Sequence, residues 1–120
     1  PMDAVQFNDG PMQTYAHVSD GSHKKVFVHF CPTCGTTVSL SFERWPDIRG
    51  IARGCYDNPD AVAVTSQIWT RSAQSGTALP EGVDCFTQAR ATLDGTPEPA
   101  QRFARPVMAR AGGSPPPGQR

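Results

Sequence analysis

The stretch Cys31-Pro32-Thr33-Cys34-Gly35 constrains this chain more than any other. A Cys-x-x-Cys pair followed at once by glycine lies between two runs of β-type residues, Lys25-Val26-Phe27-Val28-His29-Phe30 and Thr36-Thr37-Val38-Ser39-Leu40-Ser41-Phe42. Both runs are rich in β-branched and aromatic side chains, and the second alternates polar and apolar positions. The simplest fold for the segment is a hairpin with the cysteines in its turn. Proline presets φ early in that turn, and glycine can adopt φ > 0 where the chain enters the second strand. Two sulfurs then point to one side, with backbone N–H groups near enough to stabilise thiolates. That is half of a tetrahedral zinc site.

The other half is not evident. Structural zinc takes four protein ligands, and a second Cys-x-x-Cys or Cys-x-Cys is missing. Cys55 and Cys85 stand alone. A redox dithiol is the competing interpretation, but it needs the pair at the start of a helix, and Thr36 to Phe42 favours a strand. Two cysteines that merely pack explain the internal proline and the following glycine less well.

The 120 residues suffice for one domain with a modest core. Lys and Arg number 11, as do Asp and Glu, so the chain offers no basic surface of the size a nucleic-acid backbone calls for. There is neither a run of about 18 apolar residues nor a charged-then-apolar leader. Nucleic acid and membrane are therefore not expected partners. The cysteine usage suits a reducing compartment better than a disulfide framework, which makes the cytoplasm the expected location.

Turn formers divide the chain into short segments. Asn8-Asp9-Gly10-Pro11 and Ser19-Asp20-Gly21-Ser22 bracket an expected strand over Gln13 to Val18, with Tyr15 and His17 on one face. Further strands are expected over Ile48 to Gly54 and Ala61 to Thr70, separated by the Cys55-Tyr56-Asp57-Asn58-Pro59-Asp60 loop. A turn or two of helix is expected over Phe86 to Leu93. From Thr96 onward proline, glycine, alanine and arginine dominate, and the apolar surface is too small to offset the entropy of ordering. The expected organisation is an all-β domain over 1–95 and a disordered tail over 96–120.

Several of these blocks resemble the glutathione-dependent formaldehyde-activating enzyme family, also called the GFA or CENP-V domain. The likeness is carried by Tyr15 to Ser22, Phe30-Cys31-Pro32-Thr33-Cys34-Gly35-Thr36-Thr37-Val38, Pro46, Gly54-Cys55-Tyr56-Asp57-Asn58-Pro59, Ile68-Trp69-Thr70-Arg71-Ser72 and Leu79-Pro80-Glu81-Gly82-Val83. Their order and spacing, from about residue 7 to about residue 86, make it specific. The resemblance implies a zinc-bearing, Mss4-like all-β fold. It also implies carbon–sulfur lyase chemistry joining glutathione and formaldehyde as S-hydroxymethylglutathione. In the family a structural zinc lies between an early Cys-x-Cys and the later Cys-x-x-Cys, which Cys31 and Cys34 match. The early clusters, including the one that holds an activity-linked zinc, have no counterpart here. Only the C-terminal two-thirds of the domain is matched, and the family's tryptophan ahead of the Leu-Pro block is absent from Ala73 to Ala78.

The expected metal ligands are therefore Cys31 and Cys34, the cofactor is zinc, and the partner is a thiol adduct of glutathione type. The catalytic residues are not identified. Alone, the chain is expected to bind zinc poorly and to have little lyase activity. The rival is a non-enzymatic zinc-binding or interaction module that has lost its catalytic cysteines. A homodimer is a further expectation, because missing N-terminal strands would leave an edge for another copy to cover. His29 shares a strand face with Cys31 and is a candidate third ligand, although an ordinary strand histidine explains it more simply. His17 and His23 are weaker candidates. Cys55 is expected as a small buried side chain and Cys85 as a packing residue. Asp57 is expected to accept turn N–H groups, and Trp45 and Trp69 to lie in the core or on a sheet face. Tyr15, Arg53 and Arg71 could reach a glutathione carboxylate, since arginine suits bidentate carboxylate recognition.

Overall fold

A computed structural model gives the fold and describes residues 1–6 and 10–110. It is all-β. The described residues fall into two compact units, Pro1–Val62 and Ala63–Arg120.

The first unit is built on an antiparallel meander, β1 (Gln13–Val18), β2 (Lys25–Phe30), β3 (Thr37–Phe42) and β4 (Arg49–Ile51), in that spatial order. The sequence places β1 to β3 almost residue for residue, because each run ends at a turn former. Ser19 opens the β1–β2 turn, where its N–H donates to Lys24 O at 3.0 Å. Register pairs Thr14 with His29 and His29 with Ser39. Directly opposed residues share a face, so these three side chains form one row across the sheet. A register shift between His29 and Phe30 marks a bulge just before the cysteine turn. Beyond β4 the expected strand stops early: Arg53–Cys55 forms a 3-10 turn, as does Pro59–Ala61.

The second unit has little regular structure. β5 (Ser66–Gln67) pairs in parallel with β7 (Asp84–Cys85), and β6 (Ala78–Leu79) antiparallel with β8 (Val107–Met108). The strand expected over Ala61 to Thr70 shrinks to β5. Thr70–Ser72 is instead a 3-10 turn, and Trp69 before it is left-handed. Phe86 to Leu93 forms no helix.

The segment expected to be a tail divides at residue 110. Residues 111–120 lie outside the described ones, as do residues 7–9 with most of the expected first turn. Residues 96–110 are built into the second unit. Phe103 and Val107 lie there with Leu79 and Cys85 in the buried cluster, and Arg102 pairs with Asp84. Two large apolar residues, Phe103 and Val107, anchor the segment among its prolines and arginines, since each buried side chain of this size contributes about 1.5–3 kcal/mol. No helix among the described residues is long and apolar enough to cross a membrane.

Candidate functional site: the cysteine turn and its surroundings

The turn between β2 and β3 has the geometry its sequence implies. Cys31 N–H donates to Thr36 O at 3.0 Å, and Gly35 N–H donates to Cys31 O at 2.8 Å. Gly35 takes φ +75°, a value that favours glycine over any L-residue. Cys31 is half-buried and Cys34 exposed. Cys34 Sγ lies 3.2 Å from Thr36 Oγ1. The Thr36 hydroxyl, then the Thr36 backbone N–H, then the Cys31 thiol stabilise the Cys34 thiolate and hold its pKa below the ordinary thiol value. Such a pair is suited to a soft metal.

The two sulfurs supply half of a tetrahedral site. Among the described residues, no group of three or more His, Cys, Asp or Glu side chains could hold a metal. The donor chemistry of Cys31 and Cys34 therefore fits zinc, while one chain's described residues do not complete its coordination.

His29 is engaged elsewhere. Its Nδ1 lies 2.9 Å from Thr14 Oγ1 on β1 and its Nε2 lies 2.8 Å from Ser41 Oγ on β3. Burial, and secondarily the Arg49 charge, lower its pKa and favour the neutral ring. With both ring nitrogens bracketed by hydroxyls, the imidazole ties three strands together and offers no free lone pair to a metal. Its register neighbour Ser39 is 1% exposed, and Ser39 Oγ has no hydrogen-bond partner among the described residues.

Cys55, expected to be buried, is exposed. The 3-10 turn that replaces the end of the expected strand carries it outward, and its Sγ lies 3.8 Å from Thr37 O, on the strand leaving the cysteine turn. Cys85 is buried, as expected of a packing residue, and burial pushes its pKa up. Arg53 is occupied by its own loop: Nε donates to Pro59 O at 2.7 Å and to Val62 O at 3.0 Å, and the guanidinium meets Asp60 at 3.3 Å. Tyr15 is 62% exposed on β1. Trp45 meets Phe42 edge-on at 5.8 Å between centroids, yet remains 48% exposed. Trp69 is not a core residue; it is 43% exposed, with the Arg71 guanidinium 5.1 Å from its ring centroid.

Sequence reasoning missed the hydroxyls of Thr14, Thr36 and Ser41. A register assignment would have found Thr14, which faces His29 directly. Nothing in the residues around Trp69 signals its left-handed backbone.

Comparison with curated proteins and with solved structures gives no match. A family model, that of the glutathione-dependent formaldehyde-activating enzyme, matches residues 1–72. The match takes in the meander, the Cys31–Cys34 turn, the Gly54 to Pro59 block and Trp69 to Ser72, and ends before Leu79-Pro80. With more than half of the chain matched, this protein belongs to the glutathione-dependent formaldehyde-activating enzyme family.

Proposed function

We propose that the chain acts in forming or cleaving the carbon–sulfur bond of S-hydroxymethylglutathione, with zinc held in part by Cys31 and Cys34. The observation that carries the reading is the family match over residues 1–72. In the forward direction the glutathione sulfur adds to the carbonyl carbon of formaldehyde. A C–S bond forms, the C=O π bond breaks, and the thiol proton ends on the new hydroxyl. Zinc bound at the cysteine turn would lock that hairpin and favour thiolates in its neighbourhood. The chain's own contribution is the exposed turn, with Thr36 positioned to stabilise the Cys34 thiolate. One chain's described residues do not complete the coordination, and the knuckle of a second copy is a source of two further thiolates. Four free cysteines support a reducing, cytoplasmic setting.

Interconversion of labelled formaldehyde and S-hydroxymethylglutathione, followed by exchange NMR with purified zinc-loaded protein, tests the reading. Exchange above the uncatalysed rate, lost in Cys34→Ser, supports it. A rate equal to the uncatalysed one refutes it.

A second reading is a non-enzymatic zinc-binding module. It is favoured by the lack of a third metal-ligating side chain beside Cys31 and Cys34 among the described residues. Zinc uptake without any catalysed exchange would select it.

A further inference from the structure

Trp69 has φ +60° and ψ +33°, a left-handed conformation that a bulky L-residue rarely adopts. It is held there by the neighbouring segment of residues 86–88. Trp69 N–H donates to Gln88 O at 2.9 Å, Thr70 N–H to Phe86 O at 3.1 Å and Arg71 N–H to Thr87 O at 3.2 Å. The Thr70 hydroxyl, buried, also donates to Phe86 O at 3.1 Å. A conformation so thoroughly pinned is a built feature, and backbone outliers of this kind concentrate at functional sites.

What the conformation achieves is visible in the side chains. The indole is kept out of the core, 43% exposed, beside Ile68 at 51%. The Arg71 guanidinium lies over the indole, 5.1 Å from the ring centroid. Arg53 and Arg102 each meet a carboxylate, Asp60 and Asp84 respectively. Among the described residues Arg71 meets none. A guanidinium drawn over an aromatic face by cation–π attraction is partly immobilised, while its N–H groups remain available to donate. That arrangement fits a carboxylate taken up by two parallel hydrogen bonds, and stacking in advance reduces the entropy lost on binding.

We propose that Trp69 and Arg71 form a carboxylate-binding platform that receives a free carboxylate of the glutathione moiety. The inference rests on the glutathione reading given above. Arg71 supplies the paired donors, Trp69 orients them, and Ile68 with the indole edge offers apolar surface to adjoining peptide atoms.

The test uses the full chain and S-methylglutathione, which has no thiol and cannot react. The probe is the indole N–H resonance of Trp69, assigned by comparison with Trp45→Phe. The expected result is a saturable shift of that resonance, with affinity about tenfold or more weaker for the carboxyl-esterified ligand and for Arg71→Gln. Arg71→Lys keeps the charge without the fork and is expected to fall between. Equal affinity for the ester, equal affinity in Arg71→Gln, or no shift of the Trp69 resonance would overturn the proposal. Failure of the catalytic reading is separate: carboxylate-dependent binding without catalysed exchange removes the reaction and leaves the platform. Catalysed exchange with KM unchanged in Arg71→Gln removes the platform and leaves the reaction.

Discussion

In residues 1–62 a four-stranded ladder runs from β1 to β4, yet among the described residues there only Ser39 is buried. In residues 63–110 the strands are two residues long, yet Leu79, Cys85, Phe86, Phe103, Val107 and Ala109 are all buried. Regular hydrogen bonding and apolar burial have been dealt to different parts of the chain. Because an intramolecular hydrogen bond contributes only about 0.5–1.5 kcal/mol net, a ladder without a buried apolar layer is a weak unit. The first unit therefore has most to gain from a metal at its cysteine turn, and the second has most to lose from changes in its core.

The largest effect is expected from ending the chain at residue 95. That removes Phe103 and Val107 from the cluster with Leu79 and Cys85, and the second unit should lose its cooperative unfolding, followed by Trp69 fluorescence. An unchanged transition would restore the disordered tail that composition suggests for 96–110. Next, Phe103→Ala should cost about 3–5 kcal/mol in urea unfolding, while Val28→Ala on half-buried β2 should cost about 1 kcal/mol; comparable losses would erase the contrast between the units. Gly35→Ala is expected to cost about 1 kcal/mol. The cost is a pure backbone effect, because nothing lies within 4 Å of an added Cβ while φ is +75°. The smallest effect concerns acid. Arg102 beside Asp84 holds its carboxyl below the ordinary range. That contribution is present above the unfolded carboxylate pKa of about 3.9 and is lost as pH falls through the lower, folded value. Thermal unfolding of Asp84→Asn should therefore change less between about pH 5 and about pH 3 than unfolding of the native chain.

What could be read from the residues follows the same division. β1, β2, β3 and the cysteine turn were legible because local signals agree: alternation, β-branched residues, and turn formers at each end. Cys85 was legible as a packing residue for its chemistry alone. Val62 and Val64 suggested a strand that did not form beyond Ser66–Gln67, because a strand needs a partner in register and nothing local supplies one. Phe103 and Val107 were hidden by their neighbours: composition averages over a segment, whereas packing depends on individual side chains. His29 was placed correctly on its strand, but its engagement depends on Thr14 and Ser41, distant in sequence and adjacent only through register. Cys55 and Trp69 depend on single backbone turns that their residues do not announce.

The comparison between the units predicts that the first leans on metal. Zinc content per chain, by elemental analysis of protein purified without added metal, tests this most directly, with Cys31→Ser as control. About one zinc for every two chains, four thiolates from two knuckles, is the expected result, and it should vanish in Cys31→Ser. No zinc in the native chain, or zinc that persists in Cys31→Ser, would contradict the assignment of Cys31 and Cys34 as ligands.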